Sequence, residues 1–154
     1  MEHLFAVRYC YLIPLLPLIG AAFILILRGE DEATLSNARW AALWTTIVTF
    51  LLSLWAWSLF DPASASFQLV ESKPWLSSTI GFKLGVDGIS MPFVLLTTFL
   101  MPFCILASWD SITHRVKEYL IAFLVLETMM IGVFCALDGI LFYVFFEATL
   151  IPMY

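Results

Sequence analysis

Charged side chains are scarce: they make up 12% of the 154 residues, against roughly 25% in soluble globular domains. That shortfall excludes an ordinary water-soluble fold. The net charge is −5 and no basic run exceeds Arg115–Lys117, which excludes a nucleic-acid-binding face. Cysteine is sparse too. Cys10, Cys104 and Cys135 each sit alone in an apolar run, with no CxxC or Cys/His cluster, so neither a metal centre nor a disulfide framework is expected. The sequence also lacks a Ser/His/Asp arrangement, a glycine-rich phosphate loop and a set of redox-centre ligands. The opening Met-Glu-His has no basic n-region and no small-residue cleavage site follows, so the first apolar stretch is expected to stay as a membrane segment.

What remains is hydrophobic: 62% of residues, with a mean hydropathy of +0.98. Five apolar segments stand out against the roughly 20 residues needed to cross a bilayer core. They are Leu4 to Leu27, Trp40 to Phe60, Met91 to Trp109, Glu118 to Leu137, and a fifth from Ile140 to Tyr154. The expected fold is an all-α polytopic membrane protein, one membrane domain over 1–154. Arg8 can snorkel from the outer end of the first span, and Pro14 and Pro17 are expected to kink it. Trp40, Trp44, Trp55 and Trp57 flank the second span as interfacial anchors. Pro92 sits where a helix tolerates proline, whereas Pro102 should bend the third span. The polar stretch Arg28 to Arg39 separates the first two spans. The long loop from Asp61 to Ser90 alternates apolar and polar residues between turn formers and reads as a short β-hairpin on the membrane surface. Fifteen residues give the fifth span only about 22 Å, so a longer protein is expected to continue beyond Tyr154. Arg28, Arg39, Arg115 and Lys117 lie in two short loops, against Arg8, Lys73 and Lys83 on the other side. The positive-inside rule then places the N-terminus and the long loop outside the cytoplasm.

Two carboxylates lie inside apolar helices. Glu147 follows Phe145 and Phe146 and precedes Ala148, Thr149 and Leu150. A charged acid at a helix centre costs about 2.5–3.5 kcal/mol on insertion scales, so such a residue normally faces protein and carries protons or ions. Pro152, five positions on, leaves the carbonyl of Ala148 without its helical N–H. Counted at about 1.5 Å per residue, Glu147 lies about 12 Å beyond Gly139, and Glu127 about 16 Å before Asp138 on the preceding helix. Both acids are expected near the bilayer midplane. Glu147 has a bland reading as a packing acid hydrogen-bonded to a neighbouring helix, and Glu127 as an acid satisfied by Thr128 and a helix neighbour. No lysine or arginine occurs inside the last three spans, so a cationic partner for Glu147 would come from elsewhere. Asp87-Gly88 and Asp138-Gly139 read as turns and helix boundaries, and His114 as a surface residue.

The runs KLGVDGISMPFVLLTTFL (83–100) and EYLIAFLVLETMMIGVFCALDGILFYVFFEATLIPMY (118–154) carry a resemblance. They resemble the antiporter-like chain M, or subunit 4, of respiratory complex I, the proton-pumping NADH:quinone oxidoreductase. The resemblance is strong over about half the chain, and the order of spans fits throughout. It implies a 14-helix subunit built on inverted five-helix repeats, of which five helices fall here and the fifth is incomplete. It also implies membrane-arm and neighbouring antiporter-like subunits as partners in a bacterial inner membrane, or alternatively a mitochondrial one. Flavin mononucleotide, iron–sulfur clusters and quinone are expected elsewhere in the complex, and no cofactor in this chain.

Carried onto FFEATLIPM, the resemblance makes Glu147 the proton-channel glutamate; Glu127 is a candidate proton relay from its own place in an apolar helix, not from the resemblance. The lysine partner would lie on later helices, and its approach and retreat would let Glu147 release and take up a proton. Gly139 and Thr149 depart from the residues common in the family. Two rival readings stand beside this one: a subunit of a multisubunit sodium/proton antiporter or membrane-bound hydrogenase, and a structural membrane adaptor in which Glu147 only pairs for assembly.

Overall fold

The computed structural model describes residues 9–74 and 81–154. The expected start of the first span at Leu4, Arg8 within it, and Trp75 of the long loop lie outside the described residues. In chain order the elements are α1 (Tyr9–Ile26), α2 (Glu32–Ser58), β1 (Gln68–Pro74), β2 (Gly81–Val86), α3 (Ser90–Ala107), α4 (Val116–Cys135), α5 (Gly139–Ala148) and α6 (Leu150–Met153). Among the described residues, α2, α3 and α4 are long and apolar enough to cross a membrane. The apolar helical stretches Tyr11–Ile26 and Gly139–Met153 are shorter.

The elements follow from local chemistry. α2 starts at Glu32, eight residues ahead of the apolar run expected to begin at Trp40. Asp31 stands at its N-cap position and Glu32 in its first turn, where negative charge suits the helix dipole, and Ala38 is already fully buried. The polar break between the first two helices is therefore only a few residues long. α1 runs unbroken through Pro14 and Pro17 and turns both inward, on a buried stripe with Ile13, Gly20, Ala21 and Ile24. Glycine permits two close helix approaches. A Cβ at Gly20 would lie 2.5 Å from the side chain of Thr45 on α2, and one at Gly132 on α4 would lie 2.7 Å from the Phe145 ring on α5.

β1 and β2 pair antiparallel, with Ser72 opposite Lys83 and Pro74 opposite Gly81. The register shifts between Gln68 and Glu71, where Leu69 adopts a positive φ of 54°. Such a conformation is tolerable at a bulge, where the ladder is already interrupted. The sheet grips the end of α4: Leu84 bridges to Ala136, and the Leu137 N–H donates to the carbonyl of Lys83 at 3.0 Å.

At the opposite end, basic side chains stitch the helices together. The Lys117 ammonium donates to the carbonyls of Leu27 (3.1 Å) and Gly29 (2.8 Å), just past the C-terminus of α1. A cation there meets the negative end of the helix dipole. Arg39 donates to the carbonyl of Ile112 at 2.9 Å and lies over the Trp109 ring. Between these ends lie two apolar cores. One, beside the sheet, includes Ile13, Leu84, Val94, Ile131 and Leu141. The other, near the basic end, includes Ile24, Ala42, Ile105, Leu120 and Leu124.

Candidate functional site

α5 carries Glu147 on its outer face. Asp138 sets the start of this helix by accepting from the Ile140 N–H at 3.0 Å, so the Asp138-Gly139 pair is an N-cap rather than a site. Glu147 is exposed on the surface of the described residues, with Phe142 and Phe146 stacked nearby. One residue further on, the helical hydrogen-bond ladder lapses. Thr149 keeps helical angles (φ −64°, ψ −25°), yet α5 ends at Ala148 and α6 begins at Leu150. Pro152 contributes to this, since it has no N–H to offer the carbonyl of Ala148. The Thr149 hydroxyl instead donates back to the carbonyl of Phe146 at 2.6 Å.

Glu127 has the opposite environment. It sits on α4 with no solvent-accessible surface, and neither carboxyl oxygen has a hydrogen-bond partner among the described residues. Its neighbour Thr128 is engaged elsewhere, donating to the carbonyl of Pro14 on α1 at 2.9 Å and lying 3.2 Å from the carbonyl of Leu124. The structural satisfaction of Glu127 by Thr128 that the sequence allows is therefore not found here. Glu127 is sealed inside the bundle while Glu147 faces out, and no hydrogen bond joins them.

The remaining candidates lie at a turn and in a connection. Asp87 accepts from the N–H groups of Ile89 (3.1 Å) and Ser90 (2.6 Å), and its own N–H donates to the Ser90 hydroxyl at 2.9 Å. The Ser90 N–H, then the Ser90 hydroxyl, with a smaller contribution from the Ile89 N–H, hold its carboxyl below the ordinary value of 3.8 against a smaller opposing effect of burial. It thereby fixes the junction between the sheet and α3. His114 is exposed in the connection before α4, beside the Arg115–Glu118 ion pair of 3.0 Å. No group of three or more His, Cys, Asp or Glu side chains able to hold a metal occurs among the described residues.

The chain is thus a predominantly helical membrane protein of the polytopic class, with one carboxyl enclosed by its helices and another presented at their surface. The sequence model of the family "NADH-ubiquinone oxidoreductase chain 4, amino terminus" matches residues 21–136. NADH-quinone oxidoreductase subunit M of Rhodobacter capsulatus is 56% identical over 144 residues, 93% of this chain. NADH-ubiquinone oxidoreductase chain 4 of Marchantia polymorpha is 48% identical over 141 residues, 91% of this chain. Subunit M of Rickettsia prowazekii is 38% identical over 140 residues, 90% of this chain. This chain belongs to that family, the chain 4 or subunit M family of NADH-quinone oxidoreductase. The chain spans 28% of the length of each of these three relatives.

Proposed function

We propose that the chain works as a membrane-arm subunit of a proton-pumping NADH:ubiquinone oxidoreductase, and that Glu147 is its proton-carrying group. In this reading five helices enter the membrane: α1 to α4, and the α5–α6 stretch as the fifth. The N-terminus and the sheet lie on the extracytoplasmic side, and the end held by Arg39 and Lys117 faces the cytoplasm. Flavin, iron–sulfur clusters and quinone belong to other subunits. The partners are neighbouring antiporter-like subunits of the same complex, in a bacterial inner membrane or its mitochondrial counterpart.

The observation that carries the reading is the position of Glu147 in a chain of this family. It lies on the open face of an apolar helix, beside a lapse in the hydrogen-bond ladder. A carboxyl so placed is reachable by a cation from a further helix or subunit, whose approach and retreat would drive proton release and uptake. Glu127, enclosed by α4's neighbours, is a second proton-relay candidate of a different kind.

The test is Glu147→Gln in the full-length subunit within native membranes. NADH-driven proton uptake into inverted vesicles would be followed beside NADH oxidation by an artificial acceptor. Loss of quinone-linked pumping with acceptor reduction retained is the expected result. Undiminished pumping in an assembled complex would leave Glu147 an assembly residue and direct attention to sodium/proton exchange.

A further inference from the structure

The buried polar side chains do not scatter through the bundle. Among the described residues they are Thr46, Thr49 and Ser53 on α2, Thr97 and Thr98 on α3, and Glu127 and Thr128 on α4. On each helix they interrupt an otherwise apolar buried stripe. On α2 they fall between Leu43 and Ala56, on α3 between Val94 and Ile105, and on α4 between Leu124 and Ile131. In every case one flanking residue belongs to the core beside the sheet and the other to the core near the basic end. The polar residues therefore form a stratum between two apolar cores. At about 1.5 Å per residue, Glu127 lies about 12 Å from the end of α4, Thr98 about 12 Å into α3, and Thr49 about 13.5 Å before the end of α2. All three distances run from the sheet side. α1 meets this stratum with Pro14 and Pro17, the second of which frees the carbonyl of Ile13.

The hydrogens of the stratum are already committed. Thr46 donates to the carbonyl of Leu43 and Thr49 to that of Thr45, both at 2.8 Å. Thr97 donates to the carbonyl of Phe93, and Thr128 to that of Pro14, both at 2.9 Å. Ser53 and Thr98, 2.8 Å apart, share their hydrogens with each other and with the carbonyls of Phe50 and Val94. A hydroxyl has one hydrogen and two lone pairs, so what these groups can still offer is lone pairs. Glu127 thus shares its level of the bundle with hydroxyls that can only accept, and neither of its own carboxyl oxygens is partnered. No lysine, arginine or histidine is buried among the described residues. The other ionisable group buried among the described residues, Cys135, sits in the core beside the sheet, about 12 Å further along α4 at the helical rise. A buried carboxyl among acceptors is satisfied by one kind of occupant, a small positive particle between them.

We propose that the stratum is a site for one monovalent cation, a proton or a sodium ion, held between Glu127 and the acceptor oxygens of the neighbouring helices. The proposal rests on the membrane reading above but not on the role of Glu147. It differs from that role in kind, since Glu127 is closed to a lysine arriving from outside.

Infrared spectra of the assembled complex, recorded as wild type minus Glu127→Gln in sodium-free and sodium-containing buffer, provide the test. An acid carbonyl band present in both buffers supports the proposal with a proton as occupant. A band that gives way to carboxylate absorption when sodium is added supports it with sodium as occupant. Carboxylate absorption independent of sodium overturns it. Should Glu127→Gln fail to assemble, Glu127→Asp keeps the carboxyl, and the displaced band serves the same comparison. A Thr97→Val, Thr98→Val pair removes two acceptors. A shift of the Glu127 band supports their place in the site, and an unmoved band overturns it. Glu147→Gln should leave this band intact while pumping is lost, so the two readings fail separately.

Discussion

Replacing Gly132 should disturb the helix that carries Glu147 without touching either glutamate. A Cβ at Gly132 would lie 2.7 Å from two ring carbons of Phe145 and 2.9 Å from a third, all on α5 two residues before Glu147. Ordinary carbon contacts lie at about 3.5–4.0 Å, so the ring must retreat by about 1 Å. Phe145 is also held by Phe82 of the sheet, with ring centroids 6.2 Å apart, so it cannot swing aside freely. Two effects compete in Gly132→Ala. The helix gains about 0.5–1 kcal/mol from replacing glycine, and overpacking costs about 1–3 kcal/mol. Overpacking wins, with a net loss of about 1 kcal/mol for alanine and more for leucine. The assay is thermal dissociation of the assembled complex together with protons pumped per NADH oxidised. Gly139→Ala is the control, because a Cβ there meets nothing within 4 Å. If Gly132→Leu matched wild type in both measurements, the close packing of α4 on α5 would be refuted.

Two further substitutions test the ends of the bundle. Asp87→Asn keeps a capping oxygen but removes the charge. The depressed Asp87 carboxyl gives stability that is present above its unfolded value, near 3.8, and lost as pH falls through the lower folded value. Thermal stability of the variant should therefore fall less steeply below about pH 4 than that of wild type, and parallel acid titrations of the two would refute this. Lys117→Met removes the cation from the carbonyls of Leu27 and Gly29 and should cost about 0.3–1 kcal/mol, shrinking with added salt. A midpoint unchanged in low-salt buffer would show that the lysine is not holding α1.

The sequence discloses the helices well because their hydrophobicity is unbroken. α3 and α4 begin within two residues of the apolar runs that predict them. It discloses the start of α2 poorly, because a helix can continue past its apolar run on the strength of Asp31, Glu32 and Ala38. For the carboxyls, sequence yields depth but not direction. Glu127 and Glu147 both sit in apolar helices, yet one is enclosed and the other open, and that depends on which face each helix turns to its neighbours. The hydroxyl stratum was the least apparent feature. Its signal is present in Thr46, Thr49 and Ser53, spaced at helical intervals, and in the adjacent pair Thr97 and Thr98, each inside an apolar run. A threonine alone in an apolar run is unremarkable, and only the register of three helices brings these side chains to one level.

The grip of the sheet on the end of α4 bears on how this region could be altered. The connection from Ala136 to Asp138 is short, and it is pinned by the Leu84 bridge, the Leu137 N–H and the Asp138 cap. A tag, an epitope or a protease-cleavage sequence inserted there would have to unpick the sheet and uncap α5 together. The exposed segment between Leu59 and Phe67 carries looser turns and gives an insertion room to loop away. The two connections are thus unequal as engineering sites. The shorter one acts as a rivet between the sheet and the helix that bears Glu147.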